Sequence, residues 1–187
     1  MIPQSEIRDP QSAKAGLTLL EVLAVVAIVA ILAGLLLPAV FAARRHARKV
    51  QAQTEAQTME AAWRKYYSEY QKWPSNTVEG TAYPMVGDRA AILLGSAVGS
   101  DNPRQLTFLQ FRRFAPDGNL VNPWWNPNIS SMNCLYFVKF DADHDNRIAG
   151  GTGDEPQADV TRQVIVWTCN PDAAPGDSSS IIRSWQP

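Results

Sequence analysis

Residues 17–43 read LTLLEVLAVVAIVAILAGLLLPAVFAA, an almost unbroken apolar run whose one charged residue is Glu21. A helix that crosses a bilayer needs about 20 apolar residues, so this run is long enough to span a membrane. A polar segment without helical or strand period, residues 1–16, precedes it, and a basic cluster at residues 44–49 follows it. The pattern predicts a leader, an anchor and a soluble part.

The helical pattern continues beyond the apolar run, over residues 44–73. The large side chains that recur there at a spacing of three and four are Met59, Trp63, Tyr66 and Tyr70. This spacing places them on one face of an amphipathic helix. Pro74 ends the pattern, because proline disfavours helix in the residue before it. We therefore expect one helix from Leu17 to about Gln71, whose first half has to be covered by lipid or by other copies of the chain.

The remainder, residues 74–187, is rich in loops and predicts a small α+β head with a short antiparallel sheet. The segments with the aromatic and β-branched composition of strands are Leu135–Phe140, Val164–Thr168 and Ile181–Trp185. A short helix is predicted over Ala90–Leu94, with Asp88 as its N-cap.

Composition and motifs argue against two functional classes. The net charge of -1 gives no basic surface for nucleic acid. The sequence contains none of the common nucleophile, zinc or nucleotide motifs, and its two histidines, His46 and His144, lie far apart. We expect neither nucleic-acid binding nor enzymatic activity.

Two simple interpretations of the apolar run leave features unexplained. A secretory signal peptide has an apolar core of only about 7–15 residues, shorter than residues 17–43. A plain membrane anchor explains the length but not Glu21, because an ionisable residue inside a span costs at least about 2.5 kcal/mol. It also gives the polar leader no role.

Residues 14–22, KAGLTLLEV, resemble the prepilin peptidase site of type IV pilins and type II secretion pseudopilins. The resemblance implies that cleavage follows Gly16, that Leu17 becomes the N-methylated first residue, and that Glu21 is the family's glutamate at the fifth mature position. The family usually begins with phenylalanine, so Leu17 is a departure. Pro38 falls where the family commonly carries a proline.

This resemblance implies an assembly mechanism that agrees with the chemistry of the residues. Cleavage would give Leu17 a free amine, and the Glu21 carboxylate can pair with the amine of a neighbouring subunit. Such a pair would set the register between subunits. Gly34 and Pro38 would soften the helix for packing; alternatively, glycine and proline are simply tolerated in membrane helices.

Three segments of the head resemble the major pseudopilins of type II secretion systems. They are residues 66–74 (YYSEYQKWP), residues 122–127 (NPWWNP, which departs from the family at Asn122 and Trp125) and the ending 164–185. The resemblance implies a structural subunit of a pseudopilus that supports protein secretion. Its partners would be other pilin-like subunits in a filament, the prepilin peptidase and an inner-membrane assembly platform.

The implied location is the bacterial inner membrane, with a single pass and the head in the periplasm. The excess of lysine and arginine after the span would by itself place the head in the cytoplasm, but the cleavage motif is the more specific signal. The alternatives are a type IV pilus subunit and an adhesive, carbohydrate-binding minor pilin, in which Trp124 and Trp125 would form a stacking platform.

Residues 141–148, DADHDNRI, resemble the first half of an EF-hand loop. Oxygen ligands from Asp141, Asp143 and Asp145 could converge on Ca²⁺, with Asn146 in the position that usually carries glycine. Asparagine tolerates the left-handed turn needed there. The second half of the motif is missing, so a solvated acidic turn between two strands is the alternative.

The two cysteines, Cys134 and Cys169, lie in neither a CxxC pair nor a histidine cluster, which argues against a zinc site. In an oxidising compartment they could form one disulfide. Two buried thiols are the alternative.

Overall fold

The computed structural model describes residues 18–96, 101–111, 113–151, 155, 157–173 and 180–185. Its regular elements are a 52-residue helix, a short helix, one 3-10 turn and a four-stranded sheet. The helices are α1 (Leu19–Tyr70) and α2 (Gly87–Leu94), and the 3-10 turn is Ser131–Cys134. This confirms the predicted α+β class. By its contacts the chain divides into two units, Met1–Ala43 and Arg44–Pro187.

The sheet is antiparallel throughout, and its strands are paired in chain order. The strands are β1 (Tyr83–Pro84), β2 (Tyr136–Phe140), β3 (Val164–Cys169) and β4 (Ile181–Arg183). Val138 of β2 lies opposite Val166 of β3, which sets the central register. Five of the six residues of β3 are buried, so this strand lies inside the head on both of its faces.

The predicted apolar face of the second half of α1 is buried in the main core of the head. Met59, Trp63 and Tyr66 have no exposed surface. The ring of Trp63 meets Phe140 of β2 edge to face at 5.0 Å between centroids, and meets Tyr66 in the same way at 5.5 Å. This aromatic contact joins the helix to the sheet.

The elements differ from the sequence prediction at several places; α2 begins at Gly87, β2 begins at Tyr136 and β3 ends at Cys169. The last strand ends at Arg183. The next residue, Ser184, still donates its N–H to the Val166 carbonyl, but the Val166 N–H donates to the Ser184 hydroxyl and not to a backbone carbonyl. The two-residue strand β1 was not predicted, since it is too short to show a period. The N-cap assignment of Asp88 is wrong: Val86 is the N-cap, without a side-chain hydrogen bond, and Asp88 lies in the first turn. A carboxylate there still favours the helix dipole.

We expect Trp63→Ala to lower the free energy of unfolding of the head by about 3–5 kcal/mol, because it removes a fully buried indole and leaves a cavity. Denaturant unfolding of the full chain in detergent, followed by near-UV circular dichroism, measures this. The exposed Met132, 61% accessible, provides the control, and Met132→Ala should change the stability by less than about 0.5 kcal/mol. Equal effects of the two substitutions would contradict the assignment of Trp63 to the core.

Candidate assembly surface and acidic loop

The first half of α1 presents apolar side chains that nothing in its own unit covers. Every described residue before Ala52 is exposed. The bulkiest exposed side chains of this segment include Leu19, Leu23, Ile28, Ile31, Leu35 and Phe41. By length and composition α1 could cross a membrane. A single apolar helix near the N-terminus is consistent with a single-pass membrane anchor, and we call the exposed apolar residues of 19–43 the assembly surface.

Glu21 lies at the start of this surface, in a reciprocal set of hydrogen bonds with Thr18. The Thr18 N–H and hydroxyl donate to Glu21 Oε2 at 2.8 and 2.9 Å, and the Glu21 N–H donates to Thr18 Oγ1 at 3.3 Å. This is a capping box, in which the N-cap threonine and the glutamate three residues later satisfy each other's backbone donors. Thr18 was not predicted to take part, although the spacing Thr-x-x-Glu is typical of a capping box. Gly16 and Leu17 lie outside the described residues.

Gly34 and Pro38 both lie inside α1, which runs through them as one helix. No atom beyond the local helix backbone lies within 4 Å of the position that a Cβ on Gly34 would take. Proline at position 38 removes one backbone donor from the helix ladder. The softening role of these two residues stays a prediction.

In the acidic loop between β2 and β3, residues 141–148, two of the predicted calcium ligands, Asp141 and Asp143, lie beside Glu79 from outside the loop. Carboxylate oxygens of Glu79, Asp141 and Asp143 lie within 4.8 Å of one another. Asp145 is outside this group, and its Oδ1 accepts the Arg147 N–H at 2.7 Å. Glu79 was not predicted to belong to this group, because nothing in its local sequence pattern indicates that it lies beside the loop.

The backbone of the loop turns through two left-handed residues, His144 and Asn146, both with φ of 62°. Asparagine therefore does adopt the turn that glycine makes in an EF-hand. The Asn146 N–H donates to Asp141 Oδ2 at 2.9 Å, and the Asp145 N–H donates to Asp143 Oδ1 at 3.3 Å. These bonds hold the acidic side chains toward the inside of the turn.

The environment of Asp141 is unusual for an acid. Asp141 is only 2% exposed, and this burial raises the pKa of its carboxyl group. The hydrogen bond from the Asn146 N–H lowers the pKa, whereas the nearby carboxylates of Asp143 and Asp145 raise it further. Glu155, which follows the loop in sequence, pairs with the buried Lys139 at 2.7 Å.

The segment NPWWNP packs into the head and does not form an exposed aromatic platform. Trp124 is 7% exposed and contacts Ala52 of α1 and Ile182 of β4. Its indole N–H donates to Asp172 Oδ2 at 2.6 Å. The ring of Trp124 is therefore not available for stacking on a sugar, and the half-buried Trp125 packs against a small apolar cluster of its own.

Cys134 and Cys169 end up close to the same residue, Asn122. The Asn122 N–H donates to the Cys134 carbonyl at 2.8 Å, and its side-chain amide donates to the Cys169 carbonyl at 3.2 Å. The structure does not join the two sulfur atoms. A disulfide between them stays a prediction for an oxidising compartment.

Comparison with known proteins bears on the N-terminal segment. Residues 11–37 match the family model of the prokaryotic N-terminal methylation motif. No curated protein and no solved structure matches the chain significantly. The matched segment contains the glycine, the glutamate and most of the apolar helix discussed above, and proteins of this motif family are structural, not enzymatic. The motif and the exposed apolar helix together support a type IV pilin-like protein.

Proposed function

We propose that the protein is a structural subunit of a type II secretion pseudopilus, a helical filament that supports protein export. The observation that carries the proposal is the uncovered assembly surface with Glu21 at its start. Exposed apolar area of this size is unstable in water and requires lipid or other subunits. A filament subunit uses both in turn, first the membrane and then the neighbouring helices.

Processing prepares the chain for this exchange. Prepilin peptidase cuts after Gly16 and leaves Leu17 with a free amine, which is then N-methylated. The precursor stays in the inner membrane with its head in the periplasm, and an assembly platform with its own ATPase draws the cut subunits into the filament. The residues after the span, including the basic cluster at 44–49, then face other subunits.

Glu21 supplies the polar contact inside the apolar filament core. Its carboxylate accepts hydrogen bonds from the N–H and the hydroxyl of Thr18. A carboxylate has further lone pairs and can accept additional hydrogen bonds at the same time. The amine of Leu17 from the next subunit is the matching donor. Two opposite charges that pair in an apolar bundle fix the register, since a displaced subunit would leave both unpaired.

The choice of a pseudopilus over other pilin-like filaments depends on the head. The segments that resemble major pseudopilins occupy structural positions: Trp73 donates to the Asp141 carbonyl at 2.7 Å, and Trp124 is buried against Ala52 and Ile182. If the protein is a pseudopilus subunit, its deletion should abolish the export of secreted proteins while leaving surface pili in place. Loss of surface pili with normal export would instead indicate a type IV pilus subunit.

The mature protein should begin with N-methylated Leu17. Intact-mass and N-terminal sequence analysis of the protein from its native membrane measures this directly. Gly16→Glu should leave the uncut chain, because the peptidase requires a small residue before the bond, while Ala15→Ser serves as the neighbouring control and should be cut normally. A native chain that begins at Met1 in cells with active peptidase would refute the processing step.

Val29, which is 57% exposed in the middle of the apolar run, tests membrane insertion. We expect Val29→Arg to cost about 2.5–3.5 kcal/mol on insertion, and so to reduce sharply the fraction of the precursor that resists carbonate extraction. Val29→Leu keeps the apolar surface and should insert like the unmodified chain. Similar extraction of both variants would show that this segment does not enter the bilayer.

A further inference from the structure

Four cations make up the basic cluster at 44–49, which follows the apolar run of α1: Arg44, Arg45, Arg48 and Lys49. We propose that this cluster binds the anionic headgroups of phospholipids in the membrane that the apolar run enters. The bound headgroups hold this end of the span at the membrane surface until the subunit is assembled. The proposal goes beyond the pseudopilus function and does not depend on which filament the chain builds.

The first observation is the length of helix between the start of α1 and the cluster. Residues 19–43 form about 37 Å of helix at about 1.5 Å per residue. The hydrocarbon core of a bilayer is about 30 Å thick, and the bilayer with both headgroup layers is about 40–45 Å thick. A helix that starts at one face of the bilayer with Leu19 therefore brings Arg44 to the headgroup layer of the opposite face, where the lipid phosphates lie.

The second observation is that the cations of the cluster are exposed and have no acidic partner. All residues of 44–49 are exposed. Among the ion pairs in the described part of the chain, none includes a cation of this cluster. Inside the head, by contrast, Glu60 pairs with both Arg64 and Arg162. The cluster therefore keeps its whole charge available for a partner outside the chain.

The sequence around the cluster adds no opposite charge. No aspartate or glutamate occurs from residue 22 to residue 54. The next acid, Glu55, is used inside the head, where its carboxylate accepts the Tyr136 hydroxyl at 2.5 Å. Clusters of about four to eight lysines and arginines beside a membrane helix are typical of segments that bind anionic lipids. The four cations of this cluster reach that range.

The helix gathers the four cations on one of its sides. Residues four apart are neighbours on a helix surface, so Arg44 and Arg48 form one row, and Arg45 and Lys49 form the row beside it. The first row continues in the next step of four to Ala52, which is fully buried in the head. The head covers this side of α1 from Ala52 onward, and the cations occupy the same side in the turns just before it. All four can therefore bind headgroups together.

The position of the cluster favours a lipid headgroup over a dissolved anion or an acidic protein surface. The helix that carries it is long and apolar enough to cross a membrane, so the bilayer itself holds phosphates beside the cations. Long basic side chains near the end of a span extend toward this interface. Three of the four cations are arginines, which can bind a phosphate with two parallel hydrogen bonds. A dissolved anion would instead need a pocket to hold it.

The experiment uses the full chain in micelles of a non-ionic detergent that contain equal amounts of phosphatidylglycerol and phosphatidylcholine. Native mass spectrometry counts the lipids that each chain retains, and the ratio of the two lipids gives the preference. We expect phosphatidylglycerol to be preferred by at least about tenfold in about 0.1 M ammonium acetate, because each cation near an anionic surface strengthens binding roughly fivefold. The preference should disappear in about 1 M salt, where the screening length falls from about 10 Å to about 3 Å.

A double variant and a matched control assign the binding to the cluster. Arg45→Gln combined with Arg48→Gln removes two exposed cations, and glutamine has a helix propensity close to that of arginine. The head should therefore fold, as near-UV circular dichroism can verify, while the preference for phosphatidylglycerol falls by at least about fivefold. Lys65→Gln combined with Lys72→Gln removes the same charge from exposed positions further along the chain and should leave the preference unchanged.

Three results would overturn the proposal. The first is equal retention of the two lipids by the unmodified chain. The second is an equal preference in the two double variants, which would show that the cluster is not the part that attracts the lipid; a loss of filament assembly in the Arg45→Gln and Arg48→Gln variant would then assign the cluster to contacts between subunits. The third is a preference that persists in about 1 M salt, which would show that the contact is not electrostatic. Protein export and processing at Gly16 are not measured here, so the two proposals fail separately.

Discussion

The head is organised by the contact between the buried face of α1 and strand β2. Trp63 meets Phe140 edge to face, and Trp73 and Tyr83 also pack on that phenylalanine. Such aromatic pairs add to the large apolar area that each ring buries. Two of the four strands have only two and three residues, and a small sheet of this kind is stabilised by packing against a helix.

The same helix has the opposite character in its first half. Residues 19–51 are exposed, although most of those before Arg44 are apolar. One continuous helix therefore buries a face in the head with its second half and carries exposed apolar side chains along its first half. The capping box of Thr18 and Glu21 satisfies backbone donors at the start of α1, so the helix has a defined start within the methylation motif.

Sequence reasoning predicted those features that repeat along the chain. The spacing of Met59, Trp63 and Tyr66 gave the buried helix face, and the run of β-branched residues from Val164 gave the central strand, because periodicity and composition report burial directly. Glu79 could not be predicted as part of the acidic loop, since it lies beside Asp141 only after α1 and the sheet have packed. The N-cap of α2 was missed because Val86 has no side-chain acceptor to mark it.

The long connections of the head depend on a few buried amides. Asn102 is fully buried and donates to the carbonyls of Ile92 and Leu106, while its own oxygen accepts the Tyr70 hydroxyl at 2.7 Å. Asn122 acts in the same way beside β3. Buried backbone groups outside helices and sheets need such partners. Each amide forms hydrogen bonds with segments that are distant in the sequence, so no local sequence pattern predicts its role.

The acidic loop is also held by residues that are distant in the sequence. Its position is fixed by hydrogen bonds with Trp73 and Glu79 and not by its own residues alone. The loop-rich part of this head is therefore specified by single polar side chains at long range, whereas its helix and central strand are specified by repeated apolar ones.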